Sequence, residues 1–330
     1  MNAFEYLTAD SFEAATGFLA KKPEGRTLVK AGGIDVLDRL KERLETPDRL
    51  LNLRNLPPAA KAIERRASEN VLAIGALATL AEVAAHPEVK KLFPILAESL
   101  GDAATPQIRN VATIGGNLLQ KPRCWYFRSQ DILCRKKGGG LCYAIDGDNR
   151  YHAIFGTKMC HIVHASNAAV PLRAYGASVR TIRNENGKIA ERVVNLDDFY
   201  RVPDDPKDDE HTLQPNEILK EILIPLSAGG TKSAYIELRE KQSFDWPLVT
   251  VAVNLNDPVQ PRIVLGAVAP IPWRLPNVEA LIAGKPITAE LADQAGEKAT
   301  EGADPMTHNE YKVPQVQVLV SQALRTAAGV

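Results

Sequence analysis

The sequence predicts an α+β fold in two or three domains, and three observations carry that reading. Its 330 residues exceed one typical domain of about 150 residues. In the final third the strand-like runs come first and the helical runs after them, without the strict alternation of a parallel α/β sheet. The composition, 45% hydrophobic and 24% charged, is that of a packed globular chain. Intrinsic disorder, a collagen-like fibre and a disulfide-dense mini-protein are thereby excluded.

Taken in order, Arg26–Lys30 reads as the first strand, because Val and Thr suit a pleated surface. It runs through Ala31-Gly32-Gly33 into a helical stretch in which Val36, Leu37, Leu40 and Leu44 share a face, with Asp35 as the expected N-cap. Leu50–Leu53 is a second short strand, and Pro57-Pro58 marks a hinge. Asn70–Ala73 is another strand, followed by Gly75 and a helix over Thr79–Ala85; Pro87 restricts His86 and ends it. Leu92–Leu100 is helical, and Thr105–Asn117 brings a second glycine pair, Gly115-Gly116. Residues 120–162 form a loop rich in Gly, Arg and Lys, long enough to require a function or an internal staple. Ser178–Arg183 and Arg192–Asn195 alternate as a hairpin about a turn at Asn184–Gly187, and residues 201–216 are a Pro- and Asp-rich excursion. Strands at Lys220–Ile224, Ala234–Leu238, Thr250–Leu255 and Arg262–Ala267 precede helices near 288–302 and 314–327.

Forty Lys+Arg offset forty Asp+Glu, so no net field draws nucleic acid or an anionic membrane. No apolar run approaches the roughly 18 to 20 residues that span a bilayer. The opening residues are acidic and interrupted by polar side chains, unlike a signal peptide with its basic region and apolar core. A soluble chain that does not direct its own export is expected.

The four cysteines, Cys124, Cys134, Cys142 and Cys160, all fall within 37 residues, with nine, seven and seventeen residues between them. Two disulfides would need an oxidising compartment. Four-thiolate zinc sites usually include a short CxxC-type step, which is missing here, whereas an iron–sulfur cluster accepts four thiolates from a looser loop. Spacing alone ranks cluster and zinc level, ahead of disulfides and free buried thiols. Lys121, Arg123, Arg128, Arg135, Lys136 and Lys137 surround them against Asp131, a bias that would favour a cluster of net charge about −2. The plain alternative is a solvated basic loop. Trp125, Tyr126 and Phe127 are placed to shield such a centre.

The Ala31-Gly32-Gly33 turn lies between a strand and a helix, where backbone N–H groups and a helix start can cradle a phosphate. It is not the G-x-G-x-x-G dinucleotide fingerprint, and taken alone it reads sooner as an ordinary glycine turn than as a cofactor loop. Thr113-Ile114-Gly115-Gly116-Asn117 repeats the idea, and two such turns suit a ligand with two phosphates. The six histidines form no ligand pattern; His161 and His164 follow Cys160 by coincidence. Asp197-Asp198 and Asp204-Asp205 read as solvated loop carboxylates. No catalytic residue is assigned.

Several segments together resemble the FAD-binding medium subunit of the xanthine dehydrogenase (molybdenum hydroxylase) family. They are Ala31–Asp35, Ile74-Gly75-Ala76, Gln107–Asn110, Ala112–Leu119, Gly176-Ala177, Asp198-Phe199, Glu217–Leu219 and Leu265-Gly266. The cysteine loop, which most members lack, narrows the resemblance to the flavin subunit of bacterial periplasmic aldehyde oxidoreductases. The resemblance implies a two-part FAD-binding domain of the vanillyl-alcohol oxidase type, 1–57 and 58–218, with a [4Fe-4S] loop at 120–162. A C-terminal α+β domain of the CO dehydrogenase flavoprotein type, 219–330, completes it.

It further implies that the backbone of Leu28, Val29, Lys30, Ala31, Gly32, Gly33, Ile34, Asp35 and Val36 holds the pyrophosphate of FAD. Thr113, Gly116, Asn117, Asn167, Leu219 and Glu237 are the other expected FAD contacts, and Cys124, Cys134, Cys142 and Cys160 the cluster ligands. Three positions depart from the family pattern. Asn167 follows Ser166 where the family has Asp, and Glu237 stands where a lysine often approaches the flavin, with Lys241 nearby. Ile34 replaces Thr or Asn. By resemblance the chain is an electron-transfer subunit of an oxidoreductase that oxidises aldehydes. Its partners are a molybdenum-cofactor large subunit, a [2Fe-2S] small subunit and an external electron acceptor. The alternatives are the flavin subunit of a 4-hydroxybenzoyl-CoA reductase and a cofactor-free scaffold stapled by zinc. The compartment is either the cytoplasm or, by co-export with a signal-bearing partner, the periplasm.

Overall fold

The computed structural model describes residues 2–20, 25–241 and 243–330, and the chain is built on three sheets. The first is a three-stranded parallel sheet of Glu5–Thr8 (β1), Thr27–Lys30 (β2) and Arg49–Asn52 (β3), in the order β1-β3-β2. Its central strand is covered on both faces, as parallel strands require. Leu51 joins the core with Ala15 and Leu19 of the helix Phe12–Ala20, and Leu50 packs with Val36 and Leu40 of the helix Ile34–Lys41. The sequence reading contained neither β1 nor the helix Phe12–Ala20.

The second sheet has five strands in the order β4-β5-β8-β6-β7. They are Ile63–Arg66 (β4), Val71–Gly75 (β5), Ser178–Glu185 (β6), Lys188–Asn195 (β7) and Glu217–Pro225 (β8), all antiparallel to their neighbours. The expected hairpin is present: Asn186 (φ 52°) and Gly187 (φ 84°) form its two-residue turn, both left-handed, which matches the strand twist. β8 lies mid-sheet between β5 and β6, with Ile222 and Ile224 fully buried. The strand expected at Lys220–Ile224 therefore belongs to this sheet, and the expected division at 218/219 falls inside it. The reason is topological: without β8 the sheet would break in the middle, between β5 and β6.

The third sheet is four-stranded and antiparallel, with order β12-β11-β10-β9. Its strands are Ser233–Leu238 (β9), Val249–Asn254 (β10), Arg262–Gly266 (β11) and Trp273–Arg274 (β12). The helices Ala289–Lys298 and Lys312–Ala328 share one core with it, joining Val251, Val253 and Ile263 to Val316, Val320 and Leu324. Among the described residues no helix is long and apolar enough to cross a membrane.

Candidate functional site

The cleft is built outward from β2. Alternation along this strand turns Leu28 into the small core with Val36, Leu40 and Leu50, and sends the Lys30 ammonium to Asn52 Oδ1 at 3.1 Å. Leu28 and Lys30 therefore do not line the cleft, whereas Val29 between them does. Beyond the strand, Gly33 adopts φ 95° and starts the helix Ile34–Lys41 with no side-chain cap. Asp35 is not the N-cap that its position after two glycines predicts. It lies inside the first turn, and its carboxylate is taken by arginines instead.

Gly32 serves a different purpose. A Cβ added there would lie 2.1 Å from the Val111 carbonyl oxygen, so only glycine allows the first turn to abut the segment entering the second. In that second turn the Thr113 hydroxyl accepts from the Gly116 N–H at 3.2 Å and caps the helix Ile114–Leu118. Both turns open onto one cleft of about 430 Å³. Val29, Ala31 to Val36, Thr113, Gly116, Asn117, Asn167, Leu219 and Glu237 all line it. Asn117 is half committed: its Oδ1 accepts from the Ser166 hydroxyl at 2.6 Å and the Ala168 N–H at 3.3 Å.

Two of the three positions set apart by the sequence, Asn167 and Glu237, touch each other. Asn167 Nδ2 donates to Glu237 Oε2 at 3.1 Å, the Tyr235 hydroxyl donates to the same oxygen at 2.6 Å, and Arg239 Nε donates to Oε1 at 2.6 Å. The Asn167 amide can donate to the Glu237 carboxylate, whereas a carboxylate at 167 would repel it. Lys241 does not reach the cleft. It lines a neighbouring cavity, also about 430 Å³, which shares Arg123, Asn167 and Trp246 with the first.

Asp35 ties the cleft to the cysteine loop. Its Oδ1 meets Arg128 Nη2 at 2.7 Å and Arg123 Nη2 at 3.0 Å, while Oδ2 accepts from Arg39 Nε at 3.1 Å and from the Lys121 N–H at 3.2 Å. Burial alone would raise its pKa, but the guanidiniums of Arg123, Arg39 and Arg128 outweigh it and hold the carboxyl below the usual carboxylate range. Arg128 also reaches Asp38 at 2.8 Å, Lys121 pairs with Asp209, and Lys136 is buried against Glu210. The basic loop is thus largely paired, although among the described residues Arg135 and Lys137 bond only to the backbone carbonyls of Gly140 and Ser129. Lys121, Arg123, Arg128 and Lys136 are matched to carboxylates of the cradle helix and the 201–216 excursion.

The four cysteines are free thiols, and all line one small cavity of about 20 Å³ with Lys136, His152 and His161. Among the described residues no group of three or more His, Cys, Asp or Glu side chains is drawn together to hold a metal ion. Four thiols around one cavity match a soft metal in donor kind and number, but the walls must close in to ligate it. Burial pushes the Cys124 thiol up to about 11 against the pull of the Phe127 and Tyr126 N–H groups, and the Cys160 thiol up to about 12. Phe127 is buried, and Trp125 and Tyr126 pack edge to face at 6.0 Å beside the cavity. His152, which no spacing in the sequence singles out, stands with Nε2 3.2 Å from Cys124 Sγ. His164 instead packs on the Tyr200 ring at 4.8 Å.

Comparison with known proteins places this geometry. Residues 2–227 match the model of the FAD binding domain in molybdopterin dehydrogenase, and residues 233–327 that of the CO dehydrogenase flavoprotein C-terminal domain. The chain is 33% identical over 315 residues to the aldehyde oxidoreductase FAD-binding subunit PaoB of Escherichia coli (strain K12), covering 95% of this chain and 94% of that one. It is 26% identical to the carbon monoxide dehydrogenase medium chain of Hydrogenophaga pseudoflava, covering 98% and 96%. A chain in the structure of quinoline 2-oxidoreductase from Pseudomonas putida 86 shares the fold with a TM-score of 0.73 at 24% identity, covering 99% and 98%. The glycine cradle, the α+β architecture and these matches lead to one conclusion: the chain is an oxidoreductase subunit that belongs to the family of FAD-binding domains in molybdopterin dehydrogenases.

Proposed function

We propose that this chain binds FAD in the cleft and a [4Fe-4S] cluster on Cys124, Cys134, Cys142 and Cys160, and carries electrons for a molybdenum-dependent aldehyde oxidoreductase. The observation that carries the reading is the convergence of two glycine turns on one cleft whose helix is ion-paired to the loop that carries the four cysteines. The N–H groups of Gly32 to Val36 would hold the pyrophosphate. The Thr113 hydroxyl would donate to it while accepting from Gly116. The Asn167 amide would meet a sugar hydroxyl, and Leu219 would cover the flavin ring. Glu237, held by Tyr235 and Arg239, would set a neutral ion pair beside it. Bound FAD supplies reversible electron uptake, while the protein supplies orientation and electrostatics.

The partners in this reading are a molybdenum-cofactor subunit that meets the aldehyde, a [2Fe-2S] subunit that relays electrons inward, and an external acceptor. The unit division we propose is 1–57, 58 to about 230, and the remainder, which keeps β8 in its sheet. An absorption spectrum with flavin, iron, sulfide and zinc assays on anaerobically purified protein tests the reading. Flavin bands over a broad iron–sulfur shoulder, with iron and sulfide near four per chain, are expected for a [4Fe-4S] centre. A colourless protein containing zinc would instead establish the stapled scaffold.

A further inference from the structure

We propose that the second cavity is a binding site for a small neutral quinone. The site stands on this cavity's own walls; the role of its ligand as the external acceptor rests on the flavin reading above. In that role the quinone takes up two electrons and two protons, all given up by fully reduced flavin, and leaves as the quinol. The cavity, of about 430 Å³, shares Arg123, Asn167 and Trp246 with the cleft, so its occupant would lie beside the flavin site. That volume falls toward the lower end of the roughly 300 to 1,000 Å³ of small-molecule sites.

Trp125, Tyr151, His152 and Trp246 line it with Val163 and Leu248, a surface suited to a flat apolar ring. The walls are preformed. Trp125 packs edge to face on Tyr151 at 5.7 Å and on His152 at 5.5 Å. Lys312 is fully buried and has no carboxylate partner among the described residues. It donates instead to the carbonyls of Tyr151 at 3.2 Å, His152 at 3.1 Å and Ala267 at 2.8 Å, tying two walls of the cavity together. The lining carboxylates are engaged: Glu240 accepts from the Tyr151 hydroxyl at 2.5 Å, and Asp245 from the Ser243 hydroxyl at 2.6 Å. The groups left without a hydrogen-bond partner among the described residues are donors, the indole N–H groups of Trp125 and Trp246 and the Lys241 ammonium. Donors of that kind call for a ligand with acceptor oxygens, such as the two carbonyls of a quinone. Glu240 and Asp245 offset Lys241 and Arg123, which disfavours an anion. A second dinucleotide finds no diphosphate cradle here: the N–H groups of Ala168 and Ala169 beside the cavity are already taken by Asn117 and the Ser166 hydroxyl.

The experiment is equilibrium dialysis of the full chain, freed of flavin, against duroquinone, with hydrogen exchange to locate it. The methyl groups of this probe leave no ring position for the Cys124 thiol, which also lines the cavity, to add to. One duroquinone per chain, bound equally with and without saturating FAD, is expected, with slowed exchange at residues 151–152 and 163–166. Trp246→Leu should weaken binding about tenfold and Lys241→Met about threefold. Both side chains are exposed at the rim, and thermal unfolding checks that the variants fold as wild type does. No saturable binding, displacement of duroquinone by FAD, or unchanged affinity in both variants overturns the site. Protection of the same residues by NAD⁺ overturns the ligand class. Uptake of duroquinone by a chain that takes up no FAD would uphold the site and overturn the flavin reading. Uptake of FAD without duroquinone would overturn the site alone.

Discussion

Gly32→Val strips the protein of flavin and unfolds it at markedly lower temperature. The Val111 carbonyl oxygen occupies the place of the missing Cβ, and backbone cannot swing aside as a flexible side chain can. The two turns must separate, which costs about 3 kcal/mol or more of overpacking strain and on the order of 10 °C in Tm. Because the Gly32 N–H and the Thr113 hydroxyl then no longer face one ligand, bound flavin falls with stability. Gly101→Ala is the matched control. It lies in the helix Pro94–Asp102 with nothing within 4 Å of an added Cβ, and it should gain up to about 1 kcal/mol of helix propensity. Thermal unfolding with flavin extraction after gel filtration reads both. Equal flavin retention in the two variants would show that the turns need not meet.

Asp35→Ala is expected to be the second severe lesion, by electrostatics rather than packing. It leaves Arg39, Arg123 and Arg128 facing one another without their shared carboxylate. Removing one partner of a largely buried ion network costs about 3 to 5 kcal/mol. Asp35→Asn, which keeps an acceptor oxygen, should fall between. Because the same carboxylate bonds both the cradle helix and the Lys121 N–H, flavin release and faster hydrogen exchange over 120–162 should appear together. The sign with pH follows from the lowered folded-state pKa. The contribution is complete above the unfolded value near 4, and is lost as pH falls through the lower folded value. The stability gap between wild type and Asp35→Ala should therefore narrow below about pH 4 in urea titrations. A gap unchanged down to pH 2 would assign the effect to something other than this charge.

Much of this architecture was legible in the residues themselves. The two glycine turns announce themselves because glycine is demanded by backbone approach and positive φ, which are local requirements. The hairpin at Asn186-Gly187 is legible for the same reason. β1 was not, since its short, mostly exposed strand carries no alternation. β8 was read as a strand but placed with the C-terminal domain, because pairing with β5 and β6 is a non-local choice that its apolar pattern does not encode. Asp35 misleads in an instructive way. Its position looks like a cap, yet Arg123 and Arg128, far along the chain, claim its charge. His152 lay beyond reach altogether, as only the folded loop brings it to Cys124. Asn167 and Glu237 looked like separate departures, and only the folded chain shows that they touch.

The most direct measurement is hydrogen exchange of the full chain, freed of flavin, before and after adding FAD. Slowed exchange concentrated at residues 31–36 and 113–117, at one dinucleotide per chain, is the expected result. Binding of FAD with no protection at either glycine turn would contradict the assignment of the cleft.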